Sequence, residues 1–360
     1  MSFCLKKRLL IEKPRIYSSG EVLWVHCASV GEFNTFKPIL KELKSSHRIA
    51  LTYFSPRAKE FLESQSGFYD LLFPLPLDLP FLIRKFESLL KPKALIVVER
   101  ELWFSLIKFT RTKKILVNAY AKGSLMEKLL IPEFRLIVAR EEEDRRLFIE
   151  EGAKRVEVCG NLKFVQDSGF KPVSLNVPEG YKVFVAGSVR EGEEEFILRA
   201  FLKVRGKIPL KLIVAPRHIK RARNIKALAE SMGLKVSLRS SGDESWDVLV
   251  VDTLGELRAI YSLADVTFVG GTMVPVGGHN LLEPAYLGKP VIFGKHTHKV
   301  RELESLLTSK GYGFKVGDEG ELTTTFERLL REGFSPTEDL RGLSIKVKEC
   351  YMKAILSELD

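Results

Sequence analysis

The segment Asp265-Val-Thr-Phe-Val-Gly-Gly271 continues through Val276-Gly-Gly-His-Asn280 into Leu281-Leu-Glu-Pro-Ala285. It reads as a buried strand that breaks at two glycines, crosses a short glycine-containing loop and opens a helix. That order is the strand-loop-helix unit of an open parallel α/β sheet, whose ligands lie outside the carboxyl ends of the strands. Glycines there let backbone approach a ligand, and a helix start offers unpaired N–H groups to phosphate. A nucleotide is the ligand such a unit suits, with Gly278, Asn280, Leu281, Leu282 and Glu283 as candidates. Glu283 is placed to accept from ribose hydroxyls, or merely to complement a helix dipole.

Working outward, the same alternation of short apolar runs and amphipathic stretches covers the chain. Strands are expected at 183–186, 210–215, 248–251, 266–269 and 290–293, and in the first half at 22–28, 49–53, 95–98, 114–117 and 136–139. Around 167–180 the pattern lapses into a polar stretch with Pro172, Pro178 and Gly180, as a linker would. The expected fold is therefore α/β, with two Rossmann-like doubly wound domains at 1–170 and 171–335. A helix at 336–360 could return to the first domain.

Composition fits. At 360 residues, 45% hydrophobic and 29% charged, the chain has material for two cores. Fifty-seven Lys and Arg against 46 Asp and Glu give a formal charge of +11, which favours anionic partners. Nucleic acid is disfavoured, because the basic residues are scattered and no DNA- or RNA-binding signature accompanies them. The cysteines at 4, 27, 159 and 350 are far apart without metal-ligand spacing, so free thiols in a reducing compartment are expected. No apolar run approaches a spanning helix, and no signal peptide is read at the N-terminus. The first eleven residues interleave Phe3, Leu5, Leu9, Leu10 and Ile11 with Lys6, Lys7 and Arg8. Such a stretch suits an anionic bilayer surface or an ordinary first helix.

Further strand ends carry candidate chemistry. In the second half, Ala186-Gly-Ser188 precedes the acidic run Glu191-Gly-Glu-Glu-Glu195. Pro216 and Arg217 end another strand, and Asp252-Thr-Leu254-Gly255-Glu256 a third. In the first half, Val22-Leu-Trp-Val-His-Cys-Ala28 turns through Ser29-Val-Gly31 into Glu32. A helix dipole there favours the ionised carboxylate, so Glu32 could be a general base or simply part of a capped helix start. Glu99 and Glu101 end a buried strand, where charge must be paired or functional. Lys163, in Gly160-Asn-Leu-Lys, could neutralise an anion or be a solvated lysine. His296 and His298 lack a third ligand, and no metal site is expected. No GxGxxG follows the first strand, which argues against a dinucleotide oxidoreductase.

Taken together, ASVGE ending at Glu32, the E-x-E-L-W of 99–103, GNLKF of 160–164, EGEEE, APRH, DTLGEL and FVGGT with GGHNLLEPA resemble 3-deoxy-D-manno-octulosonate (Kdo) transferases. The resemblance runs nearly the whole chain and implies GT-B architecture, two facing Rossmann-like domains with a cleft between them. It implies inverting transfer of Kdo from CMP-Kdo to a lipid A precursor, without cofactor or metal, at the cytoplasmic face of the inner membrane. On this resemblance Glu32 is the base, and Glu99 and Lys163 assist the transition state. CMP contacts fall on Pro216, Arg217, Leu254 to Glu256 and Asn280 to Glu283, with Ser188 as a further donor contact. Two features depart from the family pattern. Val189 replaces a hydroxyl residue, and Lys-His-Thr-His-Lys-Val300 lacks the family's aromatics. The apolar N-terminal anchor common in the family is not read here. A transferase using another sugar nucleotide and a non-catalytic anionic-lipid binder are the competing readings.

Overall fold

Val22–His26 (β1) and Ala94–Val98 (β4) are buried at every position, as runs of Val, Ile and Leu are when helices cover both faces of a parallel sheet. The computed structural model describes residues 2–14, 21–165, 172–242 and 245–359. The remaining strands of the first sheet are Arg48–Tyr53 (β2), Leu71–Pro74 (β3), Lys113–Ala119 (β5), Leu136–Ala139 (β6) and Val156–Val158 (β7). Its order is β3-β2-β1-β4-β5-β6-β7, all pairs parallel. The chain reverses its winding between β1 and β4, the switch point at which open α/β sheets bind ligands.

A second sheet is built from Lys182–Val189 (β8), Leu210–Pro216 (β9), Val236–Leu238 (β10), Val248–Val250 (β11), Val266–Val269 (β12), Val291–Phe293 (β13) and Gly313–Lys315 (β14). Its order is β10-β11-β9-β8-β12-β13-β14, again parallel throughout, and the switch point falls between β8 and β12. Each sheet has its own core. One centres on Trp24, Phe86, Leu95 and Ile137, the other on Phe184, Phe201, Phe268 and Phe326.

The chain divides into two compact units, residues 1–167 with 344–360, and residues 168–343. The final helix, Leu340–Leu359, is tied to the first unit by named contacts. Tyr351 is fully buried and donates to the Gly160 carbonyl at 2.8 Å, and Glu358 pairs with Arg135 at 3.1 Å and Arg155 at 2.7 Å. Cys350 on this helix is disulfide-bonded to Cys159. This corrects the reading of four free thiols: the pairing spans 191 positions and becomes visible only once the helix is seen to return beside β7. Cys27 is free and buried.

At the N-terminus a helix covers Ser2–Arg8, and Leu10 beyond it joins the core while Leu5 and Ile11 are exposed. Among the described residues, no helix is long and apolar enough to cross a membrane.

Candidate functional site

In the first unit the chemistry collects at the β1/β4 switch point. β1 runs out through Cys27 and Ala28 into Val30–Leu43 (α1), with Ser29 as its N-cap and Glu32 in the third position. Ser29 Oγ accepts from Glu32 N at 3.3 Å and donates to Glu32 Oε1 at 2.7 Å, and Ala28 N donates to Oε2 at 2.7 Å. The reciprocal bonds fix the carboxylate where the helix begins. Burial is the largest influence on it, and with the negative charges of Glu101 and Glu99 it pushes the pKa up to about 7 despite the bonds from Ser29 and Ala28. The helix dipole read from the sequence favours the ionised carboxylate, but it is not the larger influence here. Desolvation outweighs the helix end, and the group is poised to exchange a proton near neutrality.

β4 delivers Glu99 with a left-handed backbone, φ 62°, the kind of strain a non-glycine residue carries where position matters. Its partner is Arg140, just beyond β6, at 3.0 Å. Arg100, the cation adjacent in sequence, instead pairs with the buried Glu127. Glu101 accepts from Trp103 Nε1 at 2.7 Å, and burial followed by the Glu99 charge raises its pKa. Behind it His26 is fully buried, and desolvation lowers its pKa to about 3, so the ring is neutral. Thr52 Oγ1 donates to Val25 O at 3.3 Å, so the 3.0 Å contact with His26 Nδ1 makes Nδ1 the donor. Nε2 is left bare, 3.9 Å from Glu101.

Asn118 organises the other side. At φ 53° it bulges from β5 one residue before the strand ends, its amide reaches Glu99 at 3.4 Å, and its oxygen accepts from Leu162 N at 2.9 Å. Leu162–Phe164 is a single helical turn carrying Lys163, whose N–H is held by Asn161 Oδ1 at 3.0 Å, and this turn packs against α1. The structure therefore brings the elements bearing Glu32, Glu99 and Lys163 together. Sequence reasoning missed Asn118 and Arg140. Their one signal is a polar residue beside the end of an apolar strand.

In the second unit the β8/β12 switch point is equally crowded. A Cβ on Gly187 would lie 1.9 Å from the Tyr261 hydroxyl, and one on Gly270 would lie 2.5 Å from the Ser188 carbonyl, so both strand ends require glycine. Ser188 bulges from β8 with φ 55°. Glu193, fully buried, closes this edge: its carboxylate accepts from Arg190 N at 2.9 Å, Gly271 N at 2.7 Å, Thr272 N at 3.0 Å and Met273 N at 2.9 Å. The amides expected to meet a ligand at Gly271 are thus already filled from within. The anticipated helix start is also different. Leu282–Tyr286 is only five residues, and Asn280 Oδ1 takes the Leu282 N–H at 3.1 Å, so little dipole remains there.

The other expected donor residues ring the same edge. Asn280 Nδ2 donates to Glu283 at 3.3 Å, and burial raises the pKa of Glu283. Pro216 ends β9, and Arg217 follows it, exposed, with its N–H on Val189 O at 2.9 Å. Gly255 turns with φ 84°, Glu256 pairs with Arg239 at 3.1 Å, and Leu254 is 85% exposed. Gly278 N closes the loop onto Gly271 O at 2.7 Å. Among the described residues no three His, Cys, Asp or Glu side chains are placed to hold a metal ion.

Comparison with known proteins then bears on this geometry. Residues 4–166 match the family model described as 3-deoxy-D-manno-octulosonic-acid transferase (kdotransferase). The chain is 49% identical to the 3-deoxy-D-manno-octulosonic acid transferase of Aquifex aeolicus over 99% of its own length and 98% of that protein. The chain belongs to the Kdo transferase family. Within that family it is also 30% identical to the Haemophilus influenzae enzyme, over 79% of this chain and 73% of the relative. A solved MurG from Acinetobacter baumannii matches with a TM-score of 0.54 at 11% identity, covering 94% of this chain and 99% of that one. That likeness concerns the fold alone, and it agrees with the two-unit α/β fold of GT-B type. This Kdo transferase family member thus carries acidic and amide groups at the switch point of its first sheet, and both acidic and basic side chains, Glu193, Glu283 and Arg217 among them, at that of its second.

Proposed function

We propose that this chain transfers Kdo from CMP-Kdo to a lipid A precursor, lipid IVA, with inversion at the anomeric carbon, release of CMP and no need for a divalent ion. The observation that carries the reading is Glu32, a carboxylate that accepts from Ser29 Oγ and Ala28 N and has its pKa raised to about 7. It accepts the proton of an acceptor hydroxyl as that oxygen attacks from the face opposite CMP, the scheme of inverting glycosidases with a sugar hydroxyl in place of water. Glu99 supplies negative charge to the oxocarbenium-like transition state, and Lys163 offsets the anions around it. Ser188 and Arg217 receive the nucleotide phosphate, which as a good leaving group needs positive charge rather than an acid. Leu254, Gly255 and Glu256 meet the base, beside Pro216. Gly278, Asn280, Leu281, Leu282 and Glu283 meet the ribose.

The acceptor is a lipid, and the reading includes peripheral attachment at the cytoplasmic face of the inner membrane. Support comes from apolar side chains left on the first unit's surface. Leu125 is 84% exposed and Phe81 65%, near Lys122, Lys128, Arg84 and Lys85 in sequence. Such patches beside cations suit an anionic bilayer.

The test incubates purified protein with CMP-Kdo generated in situ and lipid IVA in detergent plus chelator, following acceptor mass and CMP. A mass gain in whole Kdo units with equivalent CMP supports the reading. No product beside a working transferase control withdraws CMP-Kdo as donor and turns attention to other sugar nucleotides.

A further inference from the structure

Arg190 follows the β8 bulge, and its side chain is held by two histidines from neighbouring strand ends. Its Nε donates to His279 Nε2 at 3.0 Å, in the loop after β12, and its Nη1 lies 2.9 Å from His218 Nε2, just past β9. Three adjacent strands, β9, β8 and β12, therefore converge on one guanidinium at the switch point.

Every nearby carboxylate is committed elsewhere. Glu191 and Glu194 pair with Arg221, each within 3 Å, and Glu195 pairs with Arg199. Glu193 spends its oxygens on four backbone N–H groups. No carboxylate lies within ion-pair range of Arg190 among the described residues, and Nη2 has no protein hydrogen-bond partner there. Its two contacts are imidazole nitrogens. Burial, followed by the charges of Arg190, Arg217 and Lys299, lowers the His279 pKa to about 4, so at neutral pH the ring holds the guanidinium without repelling it. The result is an oriented cation whose Nη2 and second Nη1 N–H are left to form one bidentate end, beside Arg217 and Lys299. A planar guanidinium edge matches a planar carboxylate through two parallel hydrogen bonds, a fit an ammonium cannot make.

A second anion is available to meet it. The sugar of the donor reading is an ulosonic acid, with a carboxylate on the carbon that also carries the nucleotide phosphate. Two anions therefore arrive together and must be told apart. We propose that Arg190, held by His218 and His279, binds the carboxylate of the donor sugar, while Ser188 and Arg217 take the phosphate. This rests on the donor reading above. It gives the site a means of selecting an acidic sugar over the neutral sugars of other nucleotide donors.

The experiment compares wild type with Arg190→Gln, Arg190→Lys and His279→Gln, each checked by thermal melting. One arm measures KM for CMP-Kdo and the inhibition constant of CMP, which carries phosphate but no carboxylate. The other measures binding of free Kdo to CMP-saturated protein, with no turnover required. Arg190→Gln is expected to raise KM roughly 10- to 100-fold, the worth of hydrogen bonds between charged groups, with CMP inhibition unchanged. Arg190→Lys should recover little, and His279→Gln should fall between.

If CMP inhibition weakens as much as donor KM, Arg190 serves the phosphate and the assignment is overturned. It is equally overturned if Arg190→Gln changes neither constant, or if lysine restores donor KM fully. Arg190-dependent binding of free Kdo without turnover leaves the carboxylate site standing and sinks the transfer reading. Turnover with an unaltered Arg190→Gln enzyme does the reverse. Should wild type neither turn over the donor nor bind free Kdo, both fall.

Discussion

Glu32 shows how a residue's role depends on which of two opposed influences is larger. A helix end lowers a carboxylate pKa and burial raises it, and here burial is the larger, lifting the group to about 7. The sequence Ser29-Val-Gly-Glu32 made the helix cap legible; the depth of burial and the charges of Glu99 and Glu101 come from other strands and were not. Below pH 7 the carboxyl holds its proton and cannot accept another, so kcat/KM should rise about tenfold per pH unit up to roughly pH 7 and then level off. A rate profile with no inflection between pH 6 and 8 would dismiss Glu32 as the base. Glu32→Gln keeps one acceptor for the cap and should slow transfer by roughly 10²- to 10⁴-fold, with CMP affinity unchanged by calorimetry. Glu283→Ala should do the opposite, weakening CMP about tenfold, the worth of a hydrogen bond or two; unaltered affinity would remove it from the ribose.

Among elements, the ten longer or more apolar strands were readable and the four others were not. β3, β7, β10 and β14 are three or four residues long, and each is an edge strand of its sheet. An edge strand is partly exposed and so shows neither a continuous apolar run nor clean alternation. The acidic run Glu191 to Glu195 stood out in the sequence, yet its part in the fold did not. Glu193 reaches from the start of Glu194–Arg205 to the backbone after β12, nearly eighty positions away. Glu193→Gln would point an amide donor at backbone donors and should cost about 3 kcal/mol, roughly 10 °C in Tm for a unit of this size, measured by calorimetry. A shift under 2 °C would mean the loop after Val269 holds itself without that carboxylate.

At the scale of the whole molecule, two doubly wound sheets were legible because apolar and amphipathic stretches alternate in both halves. The Cys159–Cys350 pairing was not, since no local pattern links residues 191 positions apart. Closing so long a loop restricts the unfolded chain, by about 5 kcal/mol on the chain-entropy account. Reductant, or Cys159→Ser, should therefore lower the melting transition of the first unit measurably. A melting curve indifferent to reductant would show that the final helix holds through contacts such as Tyr351 and Glu358 alone. The pairing has a further, mechanical consequence. Residues 168–343 lie wholly inside the covalent ring it closes. When the chain is pulled by its two ends, the load passes from residue 159 across the sulfurs to residue 350 and bypasses the entire second unit. An oxidised molecule should lengthen only by the stretches of the first unit outside the ring, up to residue 159 and from residue 350, before it breaks, and a reduced one should yield the contour length of both units.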